Sequence, residues 1–67
     1  MDCIKTARIK NKITQAEFAA RVGCTQGFVS AMELGLEKPS PQLAKRIKQE
    51  FSIELWELRP DVYDPPE

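Results

Sequence analysis

The side chains that most often do chemistry in small proteins are scarce in this 67-residue sequence, which contains two cysteines, Cys3 and Cys24, and no histidine. A structural zinc site needs four ligands, mostly Cys and His, and histidine is the commonest general base in enzymes. A chain of this length is at most one domain and has little room for an enclosed active site. We therefore expect no metal, cofactor, small-molecule ligand or catalytic residue, and two free thiols, as is usual in the cytosol.

The charged residues are balanced in number but not in position. The sequence has 10 basic and 10 acidic residues. Residues 1–48 carry nine of the basic and four of the acidic ones, a net charge of +5, whereas residues 49–67 have a net charge of −5. A basic body with an acidic end is compatible with binding a polyanion through one face, and equally with an ordinary solvated surface.

No stretch of the sequence resembles a membrane span or a secretion signal. The apolar runs are far shorter than the roughly 18 residues that a span requires. The first ten residues, MDCIKTARIK, carry charges where a signal peptide needs an apolar stretch. Hydrophobic residues make up 42% of the chain, which is enough for a globular core. We expect a folded cytoplasmic protein with no membrane partner.

Periodicity and capping signals predict an all-α chain of five short helices, because no segment alternates with the period of two that a strand would show. Thr14-Gln-Ala-Glu17 is a capping box. Ser40-Pro41 combines a serine N-cap with a proline at the first helical position. Gly23 and Gly35 are expected to end helices in the left-handed conformation. The predicted helices cover residues 2–11, 15–22, 26–34, 41–49 and, with Ser52 as N-cap, 53–58.

Only three residues, Gly23-Cys24-Thr25, join the second predicted helix to the third. A turn this short makes the two helices cross steeply, as in a helix-turn-helix motif, and a small residue such as Ala19 is needed where they touch. The other inward positions of this pair are expected to be Phe18, Val22, Cys24, Val29 and Met32. An ordinary pair of antiparallel helices has the same short turn, so the spacing alone does not establish a function.

Five short stretches occur in a characteristic order along the chain. They are Arg8, TQAEFA at 14–19, VGCTQ at 22–26, ELG at 33–35 and PS at 39–40. Together they resemble the Cro/cI-type repressors, also called the XRE family of helix-turn-helix proteins, over about residues 3–58. The resemblance implies a lambda-repressor-like domain of five short helices that binds double-stranded operator DNA as a homodimer. We expect this domain over residues 1–59 and an acidic, proline-rich tail over residues 60–67.

The resemblance also implies which residues contact DNA. Gln26 matches a family position that reads a base edge, and a glutamine amide can bond bidentately to adenine in the major groove. Gln15 matches a phosphate-binding glutamine at a helix N-terminus, where backbone amides favour an anion. The predicted base contacts are Gln26, Gly27, Phe28, Ser30 and Ala31, and the predicted phosphate contacts are Gln15, Thr25 and Lys38.

Three of these positions have a second interpretation. Thr25 is expected first of all to cap the third helix, with its hydroxyl also within reach of a phosphate. Gly27 stands where many family members have a second base-reading side chain. Fewer side chains should therefore read bases directly, and the helix tip can approach DNA closely. Phe28 either packs on the loop at 36–39 or contacts a thymine methyl group.

Other residues are expected to have structural roles. Arg8 and Glu33 match a family ion pair between the first helix and the end of the third, so Arg8 is not counted as a DNA contact. Trp56 is assigned to the core, the alternative being a dimer anchor, since aromatic residues are enriched at interfaces. Arg59-Pro60-Asp61 is expected to fold the tail back through an Arg–Asp pair.

Two functions are compatible with the resemblance. The first is a Cro-like phage or prophage repressor, in which the helix at 26–34 enters the major groove and two copies meet half-sites about one helical turn apart. Repression would then be steric. The alternative is an antitoxin-type protein, whose acidic tail binds a toxin enzyme and whose DNA binding regulates its own operon.

Overall fold

The structure is a computed structural model that describes residues 2–64, and within that range it consists of helices and turns without strands. The all-α prediction is confirmed. No helix in this range is long and apolar enough to cross a membrane. The helices are α1 (Asp2–Lys10), α2 (Gln15–Val22), α3 (Gln26–Glu33), α4 (Pro41–Phe51) and α5 (Leu55–Leu58).

The predicted side-chain caps begin α2 and α4. The Thr14 hydroxyl accepts from the Glu17 amide at 3.1 Å, and the Glu17 carboxylate accepts from the Thr14 amide at 3.0 Å. The hydrogen bond from the Thr14 amide, followed by one between the carboxylate and the Thr14 side chain, lowers the pKa of Glu17. The Ser40 hydroxyl accepts from the Leu43 amide at 3.2 Å. Because a cap satisfies a backbone amide that has no partner inside the helix, these caps determine where each helix begins.

A left-handed residue follows each of α1 to α4, and only two of these four residues are glycine. Gly23 has φ 79° and Gly35 has φ 78°, as predicted. Lys12 and Ser52 also have positive φ, at 56° and 59°. Ser52 was predicted to begin the fifth helix, and this prediction is wrong. Its amide donates to the Lys48 carbonyl at 2.8 Å, so Ser52 closes α4 instead.

Helix α4 extends beyond the predicted end at Gln49 because Phe51 packs into the molecule. The Phe51 ring stacks on the buried Phe18 ring of α2, with the centroids 4.3 Å apart and the planes 8° from parallel. The Arg21 guanidinium lies 5.7 Å from the centroid of the Phe51 ring. A stacked aromatic pair contributes about 0.5–1.5 kcal/mol beyond the apolar area that it buries. This stack connects the C-terminal end of α4 to α2.

Ten buried apolar side chains form one core, to which every helix contributes. The inward positions predicted for α2 and α3 are among them, apart from Cys24, which is half-buried against the core. The core side chains are Ile4, Phe18, Ala19, Val22, Val29, Met32, Ala44, Ile47, Ile53 and Leu58.

The assignment of Trp56 to the core is wrong. Trp56 is only half-buried and lies outside the core cluster, whose α5 position is taken by Leu58. Its indole Nε1 is buried and finds no hydrogen-bond acceptor in the described part of the chain. Since an unpaired buried N–H is costly, Trp56 adds less stability than its size indicates.

The segment after α5 folds back, as predicted, through Arg59. Its guanidinium donates to both Asp61 carboxylate oxygens, at 3.0 and 2.7 Å, and its third nitrogen donates to the Pro39 carbonyl at 2.9 Å. The hydrogen bonds from Arg59 hold the pKa of Asp61 at about 2. Arg59 therefore fastens the 60–63 turn to the loop between α3 and α4. The rest of the predicted tail, residues 65–67, lies outside the described residues.

Replacing Ser52 with glycine is expected to stabilise the fold. A non-glycine residue in the left-handed conformation carries a steric cost, which glycine avoids at the expense of some unfolded-state entropy. Ser52→Gly should raise the free energy of unfolding by about 0.5–1 kcal/mol, measured by urea denaturation. Ser52→Ala is the control, since it removes the hydroxyl but keeps the Cβ, and it should not stabilise. Equal stabilisation by both variants would contradict the left-handed assignment.

Candidate nucleic-acid interface

Helices α2 and α3 form the most extensive helix pair in the molecule, joined by residues 23–25. The left-handed Gly23 reverses the chain, and the Gly23 and Cys24 amides both donate to the Ala19 carbonyl, at 2.9 and 3.0 Å. Ala19 is 3% exposed at this crossing. The small side chain lets the two helices approach closely enough for the short turn, as the sequence predicted.

The outward face of α3 brings most of the predicted base contacts together. Gln26 and Gly27 are exposed at its N-terminal tip. Ser30 and Ala31 follow one turn later and are half-buried. Residues four apart share a helix face, so these positions form a continuous strip. The strip has the length and width of an element that can lie in a major groove.

Phe28 has a different environment from the other predicted base contacts. Its ring is half-buried and packs against the core. It lines a groove together with Cys24, Thr25 and Leu43. The ring therefore lies beside α4, and the structure gives Phe28 a packing role.

The predicted phosphate contacts are distributed over three elements. The Thr25 hydroxyl accepts from the Phe28 amide at 3.1 Å, which confirms the cap and leaves the hydroxyl hydrogen available for a phosphate. Lys38 is exposed in the loop after α3. Gln15 is half-buried at the start of α2. A hydrogen bond joins its side chain to the Glu33 carboxylate.

The ion pair between Arg8 and Glu33 is present and bidentate. Arg8 Nε and Nη2 donate to the two Glu33 carboxylate oxygens, at 2.9 and 3.2 Å. A third donor, Arg8 Nη1, reaches the Ile13 carbonyl at 3.3 Å. The Arg8 and Glu33 side chains are 19% and 8% exposed. This pair ties α1 to the C-terminal end of α3, as the resemblance implied.

Glu33 is also the centre of a network that the sequence did not reveal. Burial by itself would raise the pKa of Glu33, but the hydrogen bonds and charge of Arg8, the hydrogen bond with Gln15 and the charge of Lys5 outweigh it and lower the pKa. The network connects α1, the start of α2 and the end of α3. Gln15 and Glu33 are 18 positions apart in the sequence, and no local pattern links them.

Neither cysteine has the environment of a reactive thiol. Both are free and half-buried. Burial raises the pKa of Cys24, and burial followed by the charge of Glu57 raises the pKa of Cys3. A higher pKa leaves less thiolate, which is the nucleophilic form. Within residues 2–64, no cluster of His, Cys, Asp and Glu side chains could hold a metal ion.

Removing the charge of Glu33 should destabilise the fold and change its pH dependence. The pKa of Glu33 is lowered in the folded chain, so the stability from this pair is complete above the ordinary value of 4.5 and is lost as pH falls through the folded value. Glu33→Gln should cost about 2 kcal/mol at pH 7. Urea denaturation from pH 7 to pH 3 should show a smaller loss in the variant than in the wild type.

The control for this experiment is Glu50→Gln, which removes a carboxylate from an exposed position on α4. Its stability and pH profile should follow those of the wild type. A wild-type profile in Glu33→Gln would exclude a stabilising role for the ion pair.

Comparison with known proteins agrees with this geometry. The family model described as "Helix-turn-helix" matches residues 4–55, a range that includes α2, the turn and α3. A relative described as "Prophage transcriptional regulatory protein", from Escherichia coli (strain K12), is 41% identical over 54 residues, covering 78% of this chain and 82% of the relative. No solved structure shows a significant match. The chain belongs to the XRE-type helix-turn-helix family of DNA-binding transcription regulators.

Proposed function

We propose that this protein is a cytoplasmic transcriptional repressor that binds operator DNA as a homodimer and blocks a promoter sterically, without a cofactor or small-molecule ligand. The observation that carries the proposal is the exposed tip of α3, where Gln26 and Gly27 are held outward by a three-residue turn and a packed α2. A tip held on a rigid element can be placed in a groove with little loss of conformational entropy.

Helix α3 has the dimensions that major-groove binding requires. An α-helix with its side chains is about 10–12 Å across, and the major groove is about 12 Å wide. With the tip in the groove, the Gln26 amide is in place to bond adenine N6 and N7. Ser30 and Ala31 lie further along the same face of α3, where they would contact the wall of the groove. Readout by hydrogen bonds therefore depends mainly on Gln26.

The phosphate contacts would flank this helix. Gln15 lies in the first turn of α2, where free backbone amides favour an anion. Its side chain also lies close enough to Glu33 for a hydrogen bond that lowers the pKa of that carboxyl. Thr25 can donate its hydroxyl hydrogen, and Lys38 can add a charge-assisted contact from the loop.

Gly27 supports close approach to DNA because nothing inside the protein requires a glycine there. A Cβ built at this position would have no protein atom within 4 Å, and its φ is not positive. Glycine in a helix interior costs about 1 kcal/mol relative to alanine, and less in the first turn, where Gly27 lies. A DNA surface lying against the helix tip would account for a glycine that is neither buried nor strained.

The alternative function, an antitoxin that captures a toxin enzyme with its tail, requires the acidic end of the chain to be available. The described part of that end is instead fastened to the loop before α4 by Arg59. The relative that shares 41% identity is named as a regulatory protein and is of similar length. The fastened turn supports the repressor, whereas a regulatory relative of this length is compatible with both functions.

Selection of bound fragments from random DNA would test the proposed function. The selected sites should share a sequence with two symmetric halves about one helical turn apart, and affinity should fall as salt rises because bound phosphates release counterions. Gln26→Ala should lose about 1–3 kcal/mol of discrimination at one base pair while keeping its non-specific affinity. Gln49→Ala, near the far end of α4, is the matched control.

Two outcomes would count against this function. Affinity independent of salt would exclude a phosphate-contacting interface. Unchanged discrimination in Gln26→Ala would remove Gln26 from the base-reading residues even if DNA binding itself persisted.

The variant Gly27→Ala should have opposite effects on stability and on DNA affinity. The new methyl group meets open space in the free protein, so the free energy of unfolding should rise by about 0.5–1 kcal/mol. The same methyl group should keep the helix tip away from the groove and weaken specific DNA binding by tenfold or more. Denaturation and fluorescence anisotropy with a selected site measure the two effects.

Gly35→Ala provides the contrasting control. Gly35 has φ 78°, so alanine there should destabilise the fold, while the helix tip keeps its shape. If Gly27→Ala binds a selected site as tightly as the wild type, the close approach is not what Gly27 provides.

A further inference from the structure

The backbone on either side of Lys38 is held by a hydrogen bond. On one side, the Glu37 amide donates to the Ala31 carbonyl of α3 at 3.3 Å. On the other side, the Pro39 carbonyl accepts from Arg59 Nη1 at 2.9 Å, and the Pro39 side chain is fully buried. Lys38 is exposed between these two points. Its side chain therefore extends into solvent from a backbone that is fastened at both neighbours.

We propose that Arg59 is a positioning residue for DNA binding, because it holds the backbone next to Lys38 where the lysine ammonium can meet a phosphate beside α3. The proposal rests on the proposed function, which places α3 in the major groove and assigns a phosphate contact to Lys38. It adds a residue that acts on DNA binding through Lys38 rather than through a contact of its own.

Arg59 is well placed for this role because its own backbone is anchored. Its amide donates to the Leu55 carbonyl of α5 at 2.8 Å, and its carbonyl accepts from the Tyr63 amide at 2.9 Å. The preceding residue, Leu58, is fully buried in the core. The Arg59 side chain is only 19% exposed. The hydrogen bond to Pro39 therefore connects the loop to the core of the molecule.

Asp61 determines the direction in which the Arg59 guanidinium points. The two carboxylate oxygens accept from Nε and Nη2, at 3.0 and 2.7 Å, and Nη1 is left for the Pro39 carbonyl. Since the guanidinium is planar, fixing two of its nitrogens also fixes the third. Besides the hydrogen bonds from Arg59, the charge of Lys38 helps to lower the pKa of Asp61, so the turn and the loop lie close together.

The fastened part of the loop borders the predicted base-reading face. The Leu36 amide, like that of Glu37, donates to the carbonyl of Ala31, a residue of the outward strip of α3. A lysine on a mobile loop would lose conformational entropy when it binds a phosphate. A backbone that is already ordered reduces that loss, so the same contact gives more affinity.

The turn itself gains little from this hydrogen bond. None of residues 60–64 is buried, so the turn adds no side chain to the core. A partly exposed ion pair such as Arg59–Asp61 contributes little to stability. The hydrogen bond to Pro39 is therefore better explained by its effect on the loop, which carries a predicted DNA contact.

The test is a double-mutant cycle on the full-length protein. It compares the wild type, Arg59→Lys, Lys38→Ala and the double variant on a DNA site selected by the wild type. Lysine keeps the charge at position 59 but lacks the planar group that bonds Asp61 and Pro39 together. Circular dichroism first establishes that each variant is folded. Fluorescence anisotropy then measures affinity at several salt concentrations.

The matched control is Arg21→Lys, which makes the same replacement at an exposed position near the end of α2. We expect it to bind like the wild type. Lys38→Ala should reduce the slope of log affinity against log salt by about 0.9, the value for one phosphate. Arg59→Lys should reduce the slope in the same direction and weaken binding by about threefold, most of the effect of one phosphate contact. In the Lys38→Ala background, Arg59→Lys should cause almost no further loss.

Equal losses from Arg59→Lys in both backgrounds would show that Arg59 acts independently of Lys38, and would overturn the proposal. Unchanged affinity in Arg59→Lys or in Lys38→Ala would also overturn it, while the proposed function stands as long as the wild type binds its selected site. A wild type that selects no DNA site refutes the proposed function and the proposal together.

A measurement on the free wild type tests the positioning step without any variant. Backbone NMR relaxation should give the Lys38 amide an order parameter of about 0.85, as in a rigid backbone. A value below about 0.6 would describe a flexible loop and would overturn the proposal whether or not the protein binds DNA. This measurement also decides the matter if Arg59→Lys fails to fold.

Discussion

The structure depends on a turn of three residues between α2 and α3, each of which meets a different physical requirement. Gly23 supplies the left-handed conformation that ends α2. Cys24 places a small, half-buried side chain against the core. Thr25 caps α3 through the Phe28 amide. Because each requirement is met by one residue, α3 begins at a fixed point and angle relative to α2, and the position of Gln26 follows from that geometry.

The far end of α3 is held by electrostatics rather than by the turn. Glu33 bonds Arg8 of α1 and Gln15 of α2, so three elements converge on one largely buried carboxylate. A buried ion pair adds little net stability compared with an apolar replacement, because desolvation offsets most of the attraction. The ion pair here fixes the orientation of two helices, because its bidentate hydrogen bonds restrict how α1 and α3 can rotate against each other. The small core then needs only to fill the space between helices whose orientation is already restricted.

The sequence predictions succeeded where the interacting residues are close together in the sequence and failed where they are far apart. The caps at Thr14, Thr25 and Ser40 were predictable because each joins positions three residues apart. The Phe18–Phe51 stack and the Gln15–Glu33 bond were missed because nothing in the local pattern connects such distant positions. The Arg8–Glu33 pair came from the family resemblance, which carries long-range information.

The errors in the fifth helix have a similar cause. Serine is a good N-cap by preference, but the packing of Phe51 extends α4 and places Ser52 at its left-handed end, so tertiary contacts override the local signal. The same applies to Trp56, since Leu58 occupies the buried position of α5. The outward strip of α3 was predictable from helical periodicity, but a contact with DNA also depends on how the DNA is placed. The base and phosphate contacts therefore stay predictions.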